Sequence, residues 1–524
     1  MGISLNFCCP KAHKRRNSLE HYGTLDQDDY KSGLVSGKEV NNLSEIKIKP
    51  KIFINENTSQ PTDHYEKILV AGEGSFGTVL KVRHTKTNEF RAMKIIKKSN
   101  IDIGITKDVI INEINILKSL DHPNIMKIYE FFQDLKNYYL ISEYCESGDL
   151  FTKLNTTTDK TFFNEKVTCS IMRQILSAIS YLHSKNIIHG DLKLENILIY
   201  NEEQFKNEDN GVNNIEIKIT DFGCSKMIKK EGLHNELIGT AYYMAPEVIK
   251  SNYNEKCDLW SCGVIMFILL SGTAPFPGKN EQDILSRISI GDFSFKHKIF
   301  NNVSKEAKDL ITQLLTYDPE KRIDVRRALR HKFFTSQSEV NIIDMNYRYE
   351  VMTNLRNFKV EYKFQQAVIT FITHNFIANE EIQNLRKVFK LLDKNSDGRI
   401  SKTELQKGFK EIIGEVLGEL EITKIMSNID TDRNGYIEYE EFLRATLDKE
   451  KLLTEDNLKM AFELFDINKK GVISADDIKS TILGEKSIPD EVFEELLAQI
   501  DMKAEEHLHF EDFKGIMENI IKLK

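Results

Sequence analysis

Apolar and polar residues alternate from Tyr65 to Val82 and again from Phe90 to Ile96, the period of strands with one buried face. From there to residue 334, apolar positions recur at helical spacing, broken by glycine and proline turns. Strands first and helices after predict an α+β domain over residues 65–334. Residues 335–378 hold a helix-period stretch without glycine or proline, which predicts a junction helix. Residues 1–64 are polar and rich in Asn, Lys, Ser and Asp, with no sustained period, and are expected to be disordered. Residues 379–524 repeat one pattern four times: a helical run, an acidic twelve-residue loop and a second helical run.

The repeat is aligned on Asp393, Asp430, Asp466 and Asp501, about 36 residues apart, and predicts four helix–loop–helix units near 380–415, 417–452, 454–488 and 489–524. The first loop offers Asp393, Asn395, Asp397, the carbonyl of Arg399 and Glu404. The second offers Asp430, Asp432, Asn434, the carbonyl of Tyr436 and Glu441. Oxygen ligands at positions 1, 3, 5, 7 and 12 around a glycine at 6 are what Ca²⁺ needs, with the last glutamate giving two oxygens. The third loop keeps Asp466 and Asn468 but has Lys470 at position 5 and the shorter Asp477 at 12, so it is expected to be weak. The fourth has Lys503 at position 3 and Glu506 in place of the turn glycine, so it is expected to be empty, with Glu506 forced into positive φ. All four hold an aliphatic residue at position 8 (Ile400, Ile437, Ile473, Leu508), where paired loops share a short strand. The predicted architecture is multidomain: a bilobal α+β domain, then an all-α domain of two paired lobes.

Charge supports this division. The chain carries a formal net charge of −8, and its last 146 residues hold about 33 acidic against 22 basic side chains, an excess suited to bound cations. The longest apolar run, around Val264–Leu270, is too short to cross a bilayer. Seven cysteines without a CxxC pair fit a reducing, cytoplasmic setting.

The first domain carries a second set of signals. Gly72, Gly74 and Gly77, ahead of Val79, end a strand where backbone N–H groups can approach phosphates, a weak signal alone. Lys94 follows on the next strand at a spacing that lets it hold the α- and β-phosphates, and Glu113 on a helix-like run is the best-placed carboxylate to hold that lysine. Then come HGDLKLEN (His189–Asn196), DFG (Asp221–Gly223) and APE (Ala245–Glu247), in the order and spacing of a protein kinase.

Together these features resemble the calcium-dependent protein kinases of plants and apicomplexans, in which a kinase, a junction and a calmodulin-like domain share one chain. The resemblance covers about residues 65–524. It implies a Ca²⁺-activated serine/threonine kinase using ATP and Mg²⁺, in which Asp191 takes the substrate hydroxyl proton, Lys193 neutralises the moving phosphoryl group, and Asn196 and Asp221 hold Mg²⁺. Glu143 would lie at the hinge, Ala71 over the adenine, and Ser142 at the back of the nucleotide pocket. Asp149 and Glu195 match acidic positions that receive an arginine upstream of the target residue. Asp258, Trp260 and the pair Glu247–Arg322 match scaffold positions, and His189 a packing one.

Three departures stand out: Gly190 replaces the arginine of the usual His-Arg-Asp triplet, Ala71 an aliphatic residue, and Ser142 a larger side chain. Without that arginine, phosphorylation at Ser225, Thr240 or Tyr242 is not expected to be the on-switch. The junction mixes Val351, Leu355, Phe358, Tyr362, Ile369 and Ile372 with Arg356, Lys359 and Lys363, suiting either a calcium-opened groove or permanent packing on one lobe. Gly2, Cys8 and Cys9, with Lys11, Lys14, Arg15 and Arg16, suit acylation and an anionic membrane, although Asn6 departs from the acylation pattern. The partners expected are protein substrates with basic residues upstream of the target Ser/Thr and the cytosolic face of a membrane, with no nucleic acid and a monomeric chain. The rival reading is a catalytically silent calcium-sensing scaffold.

Overall fold

The computed structural model describes residues 54, 56–57, 59–74, 77–99, 107–156, 163–200, 215–228, 233–234, 238–335, 343–359, 362–376, 379–483, 490–503 and 506–522. The amino-terminal lobe is one six-stranded sheet of β1 (Glu56–Asn57), β2 (Tyr65–Gly74), β3 (Gly77–His84), β4 (Phe90–Lys97), β5 (Ile128–Gln133) and β6 (Asn137–Glu143), in the order β1-β5-β6-β4-β3-β2. Helix α1 (Lys107–Ser119) follows β4. The expected disorder of residues 1–64 does not extend to their last part. There β1 pairs parallel with β5 (Glu56 with Phe131, Asn57 with Phe132), and Ile54 is buried in the core. A free sheet edge offers backbone donors and acceptors, and this short run satisfies them. Gly2, Cys8, Cys9 and the nearby basic cluster lie outside the described residues.

The helical lobe is built around α2 (Glu165–Ser184) and α3 (Lys256–Ser271). Asn164 caps α2 by accepting the Val167 N–H. Almost every residue of α3 is buried, as its nearly continuous apolar sequence requires of a central helix. Arg322, fully buried, makes a two-pronged pair with Glu247 (Nη2 to Oε2, 2.9 Å), and its guanidinium lies over Trp260. A buried fork of this kind satisfies both carboxylate oxygens at once.

The junction forms two helices where the sequence predicted one: α4 (Met345–Asn357) and α5 (Lys363–Phe376). The break falls at Phe358, whose ψ of 124° leaves the helix. Asn428 donates to the Phe358 carbonyl at 3.1 Å, and Arg444 and Lys449 sit over its ring, so tertiary partners replace the next helical turn. Val351, Leu355, Phe364, Val368 and Ile372 join one hydrophobic core with the calcium-loop helices, of which the first is α6 (Asn379–Leu392). The junction packs on both lobes and not on one: Asn354 Nδ2 donates to the Thr446 carbonyl at 2.9 Å, while Gln365 Nε2 donates to the Ile516 carbonyl at 2.9 Å and Phe364 lies against Phe465 and Phe513. The position-8 expectation is met in both lobes: Ile400 pairs with Ile437, and Ile473 with Leu508.

This second domain sits behind the hinge of the first. Lys127 Nζ lies 2.7 Å from Glu440 Oε1, and the Glu440 N–H donates to Asp121 Oδ2 at 2.8 Å. Glu438 pairs with Lys185. His374 Nε2 reaches the Ile128 carbonyl at 2.9 Å, and Arg91 donates to the Asn375 carbonyl at 3.0 Å. At Gly398, with φ +79°, an added Cβ would stand 2.3 Å from the His122 ring, so the turn of the first loop presses directly on the kinase side. Among the described residues, the junction meets the catalytic domain on β4 and β5.

Candidate active site and calcium loops

Directly opposed residues of an antiparallel ladder share a face. Val79 opposes Lys94, Lys94 opposes Leu140, and Ala92 opposes Ser142, which puts Val79, Ala92, Lys94 and Ser142 on one face of the sheet. Gly72 opposes Val79 and Gly74 opposes Gly77, while Ala71 falls at a register irregularity between Val70 and Gly72. Lys94 Nζ lies 3.0 Å from Glu113 Oε1, the pair that the sequence suggested. Burial alone would depress the lysine, but Glu113 and then Asp221 outweigh it and hold its pKa above the usual value.

The Glu143 carboxylate does not face the nucleotide side. Strand alternation turns its side chain opposite to Ser142, and its carboxylate accepts the Lys127 N–H at 2.7 Å and pairs with Lys218 at 2.8 Å. Only its backbone remains for a nucleotide. The carboxylate instead ties the hinge to the strand Ile217–Ile219.

The catalytic loop closes into a small network. Lys193 Nζ donates to Asp191 Oδ2 at 2.7 Å, Thr240 Oγ1 donates to Asp191 Oδ1 at 2.9 Å, and Lys193 Nζ also reaches Thr240 Oγ1 at 3.1 Å. Asn196 Nδ2 donates to the Asp191 carbonyl at 2.8 Å. Asp221 adopts a φ of +66°, an uncommon backbone for a non-glycine residue, and its charge acts on both Lys94 and Lys193. Asp258 accepts from the N–H groups of His189 (3.0 Å) and Gly190 (2.9 Å) and lies 2.9 Å from His183 Nε2. His189 packs its ring on Phe222, as a scaffold residue would.

Sequence reasoning missed Thr240 as part of this network, naming it only as a phosphate acceptor. It stands 49 residues from Asp191, and no spacing rule links the two. Ser225, also named as an acceptor, is buried and donates to the His189 carbonyl at 3.0 Å.

Asp149 caps the helix Leu150–Thr156 by accepting from Thr152 N (2.7 Å) and Oγ1 (2.8 Å). Glu195 is raised above the ordinary carboxylate range by burial, with Asp149 and Asp191 adding to the effect. Its Oε2 is buried and has no hydrogen-bond partner among the described residues.

In the first calcium loop the Asp397 N–H donates to Asp393 Oδ1 (3.0 Å) and the Gly398 N–H to Oδ2 (2.8 Å). Asn395 accepts from Asp397 N (2.8 Å), Asp397 from Arg399 N (3.2 Å), and Glu404 from Asn395 N (3.1 Å) and Ser401 N (2.9 Å). The second loop repeats the arrangement. Asp430 accepts from Asn434 N and Gly435 N, Asp432 from Asn434 N, Asn434 from Tyr436 N, and Glu441 from Thr431 N. Oxygens of Asp430, Asp432 and Glu441 converge within 4.8 Å. Burial, then Asp397, raises Asp393, and burial pushes Glu441 up to about 7. Crowded carboxylates with raised pKa values are the donor set a divalent cation relieves, so both loops fit Ca²⁺.

The third loop folds alike around Asp466, which accepts from Lys470 N and Gly471 N, and Asp477 accepts from Asn468 Nδ2 (3.0 Å) and Ser474 Oγ (2.6 Å), the latter as Glu404 accepts from Ser401 Oγ (2.6 Å). In the fourth, Asp501 takes positive φ, at +52°, and Glu506 accepts the Lys503 N–H at 2.9 Å.

Comparison with known proteins agrees with both halves. Residues 65–334 match the protein kinase domain family, and residues 382–447 and 469–520 match EF-hand domain pairs. The chain is 36% identical over 521 residues to calcium-dependent protein kinase 4 of Plasmodium falciparum, with 96% of each chain covered. It is also 36% identical to calcium-dependent protein kinase 4 of Plasmodium berghei, over 91% of this chain and 90% of the relative. With calcium-dependent protein kinase 5 of Plasmodium berghei the identity is 36%, over 83% and 74%.

Proposed function

Because the chain belongs to the calcium-dependent protein kinases and is itself a calcium-regulated kinase, we propose the residues that do its work and the substrates it takes. Asp191 takes the proton of a protein serine or threonine hydroxyl, and Lys193 faces the phosphoryl group in transit. The observation that supports this reading most is the closed set Asp191–Lys193–Thr240, which holds one carboxylate and one cation at fixed positions. ATP with Mg²⁺, when bound, supplies the phosphoryl group and the divalent charge. Lys94, oriented by Glu113, would hold the phosphates under the Gly72–Gly77 hairpin, and Asn196 and Asp221 would hold the metal.

Asp149 and Glu195 would receive an arginine upstream of the target residue. The buried Glu195 Oε2, without a partner among the described residues, supports this, since a guanidinium fork satisfies such an oxygen. Calcium in the loops that begin at Asp393 and Asp430 acts from behind the hinge, supporting the kinase side and leaving the substrate cleft unobstructed. The chain acts as a monomer on the cytosolic face of a membrane, anchored through acyl groups on Gly2, Cys8 and Cys9, a reading supported by those residues and the adjacent basic cluster.

A kinase assay titrated with Ca²⁺, with and without a chelator, tests the core of this. Asp191→Asn should abolish transfer to an arginine-containing peptide while Ca²⁺ binding stays intact. Retained transfer would refute the assignment. Gly2→Ala should move the protein from membrane to soluble fractions, and a wild type found wholly in the soluble fraction of its own cell would refute the anchor.

A further inference from the structure

Gly190 stands where related kinases carry arginine, and its surroundings identify what takes over. Its φ is +80°, a backbone in which any Cβ is strained. A Cβ built there would stand 2.6 Å from Ile238 Cδ1 and 3.0 Å from the Cys224 carbonyl oxygen. The facing residue, Gly239, has φ +92°, and its own Cβ would stand 2.8 Å from the Gly190 carbonyl oxygen and 3.7 Å from Asp191 Oδ1. The run Ile238-Gly239-Thr240 therefore lies directly on Gly190-Asp191, backbone against backbone. Ile238 is half-buried and packs against the core of the catalytic domain. Thr240, the next residue but one, is thereby delivered to Asp191 and Lys193.

The start of the same segment is already fastened: Lys226 pairs with Ile188 and Met227 with Ile187, and Ser225 bonds the His189 carbonyl. Further along, His234 pairs with Tyr253, and what remains is to hold Thr240 against the catalytic loop, the task that an arginine–phosphate link performs where an arginine is present.

We infer that Gly190 and Ile238 are positioning residues for phosphoryl transfer: the Ile238 side chain, seated on the bare backbone of Gly190, holds the segment that carries Thr240 against Asp191. This rests on Asp191 being the group that meets the substrate hydroxyl. It also makes the glycine a requirement and not merely a missing arginine. An arginine restored at 190 would displace Ile238 and press on the Cys224 carbonyl, so it should impair the enzyme.

The test uses the full chain, saturated with Ca²⁺ and treated with phosphatase, and compares Gly190→Ala, Gly190→Arg, Ile238→Ala and Ile238→Leu. Both glycine variants and Ile238→Ala should lower kcat by about tenfold or more, since small misplacements of reacting groups carry such costs. The KM for ATP and the Ca²⁺ needed for half activation should stay within about twofold, and Ile238→Leu should retain most of the wild-type rate. Gly190→Arg with wild-type kcat, or with activity that rises on phosphorylation of the segment, would overturn the inference. So would an Ile238→Ala protein whose ATP affinity and melting temperature fall in step with kcat, because that would be a folding defect. Asp191→Asn, run alongside, reports separately on the reading beneath: turnover in that variant removes the role of Asp191, whatever the glycine variants do.

Discussion

Arg386, on the first helix of the calcium-binding domain, places Nη1 2.6 Å from Oε2 of Glu216 in the catalytic domain, and both side chains are buried. The Arg386 guanidinium lies 5.2 Å from the ring centre of Tyr200, and Lys218 lies 5.3 Å from the same ring while pairing with hinge Glu143. A short chain of buried charges thus runs from the calcium-binding domain to the hinge.

Removing one partner of a buried ion pair strands the other charge and costs roughly 3–5 kcal/mol. Arg386→Ala should therefore weaken docking of the two domains and reduce Ca²⁺-stimulated kinase activity, with Ca²⁺ binding to the loops largely kept. Glu216→Gln should act in the same direction. Unchanged stimulation in both variants would show that this contact does not carry the calcium signal.

Among the calcium loops, Glu404→Gln and Glu441→Gln should each raise the Ca²⁺ needed for half activation by roughly tenfold or more, because each removes one oxygen of a bidentate ligand. The third loop should bind weakly, since Lys470 stands at a ligand position and Asp477 is shorter than the usual glutamate, and the fourth should stay empty. Calorimetry on the full chain would count two strong ions and one weak one. Four tight ions would contradict the ranking.

At the back of the nucleotide pocket, Ser142 opposes Ala92 on the face that carries Lys94. ATP-competitive compounds with a bulky aromatic extension should enter there, and Ser142→Met should reduce their potency at least about tenfold through overpacking. ATP turnover should change little. Equal potency against both proteins would place the extension elsewhere.

Asp258 supports the catalytic loop in a pH-dependent way. Burial opposes its ionised form, but His183, His189 and the Gly190 N–H outweigh burial and hold its pKa below the ordinary carboxylate value. A depressed acid contributes stability that is fully present above the ordinary carboxylate pKa and is lost as pH falls through the lowered one. The catalytic domain should thus lose stability steeply on acidification below the ordinary range, and Asp258→Asn should remove that part of the slope. The variant should also cost about 1–3 kcal/mol at neutral pH, since an amide cannot accept all three bonds. Melting curves across pH, wild type against variant, would check both; superimposable curves would refute the role.

The sequence by itself determined the elements whose chemistry is written in consecutive residues. Ligand spacing fixed the two complete calcium loops, because one turn of chain around a cation is a local matter. Period-2 and helical patterning located the sheet-rich and helical lobes, and Lys94, Glu113, Asp191, Asn196 and Asp221 were legible because each sits inside a short run with its own signal. Tertiary structure alone decided the rest. Thr240 joins Asp191, Arg386 joins Glu216, and Glu143 turns away from the cleft toward Lys218, all through packing between elements distant in sequence. The junction broke at Phe358 because Asn428, Arg444 and Lys449 satisfied it from outside the helix. Helical period records which face is apolar, not which partner will cover it, so the place of the junction behind the hinge could be read only from the folded chain.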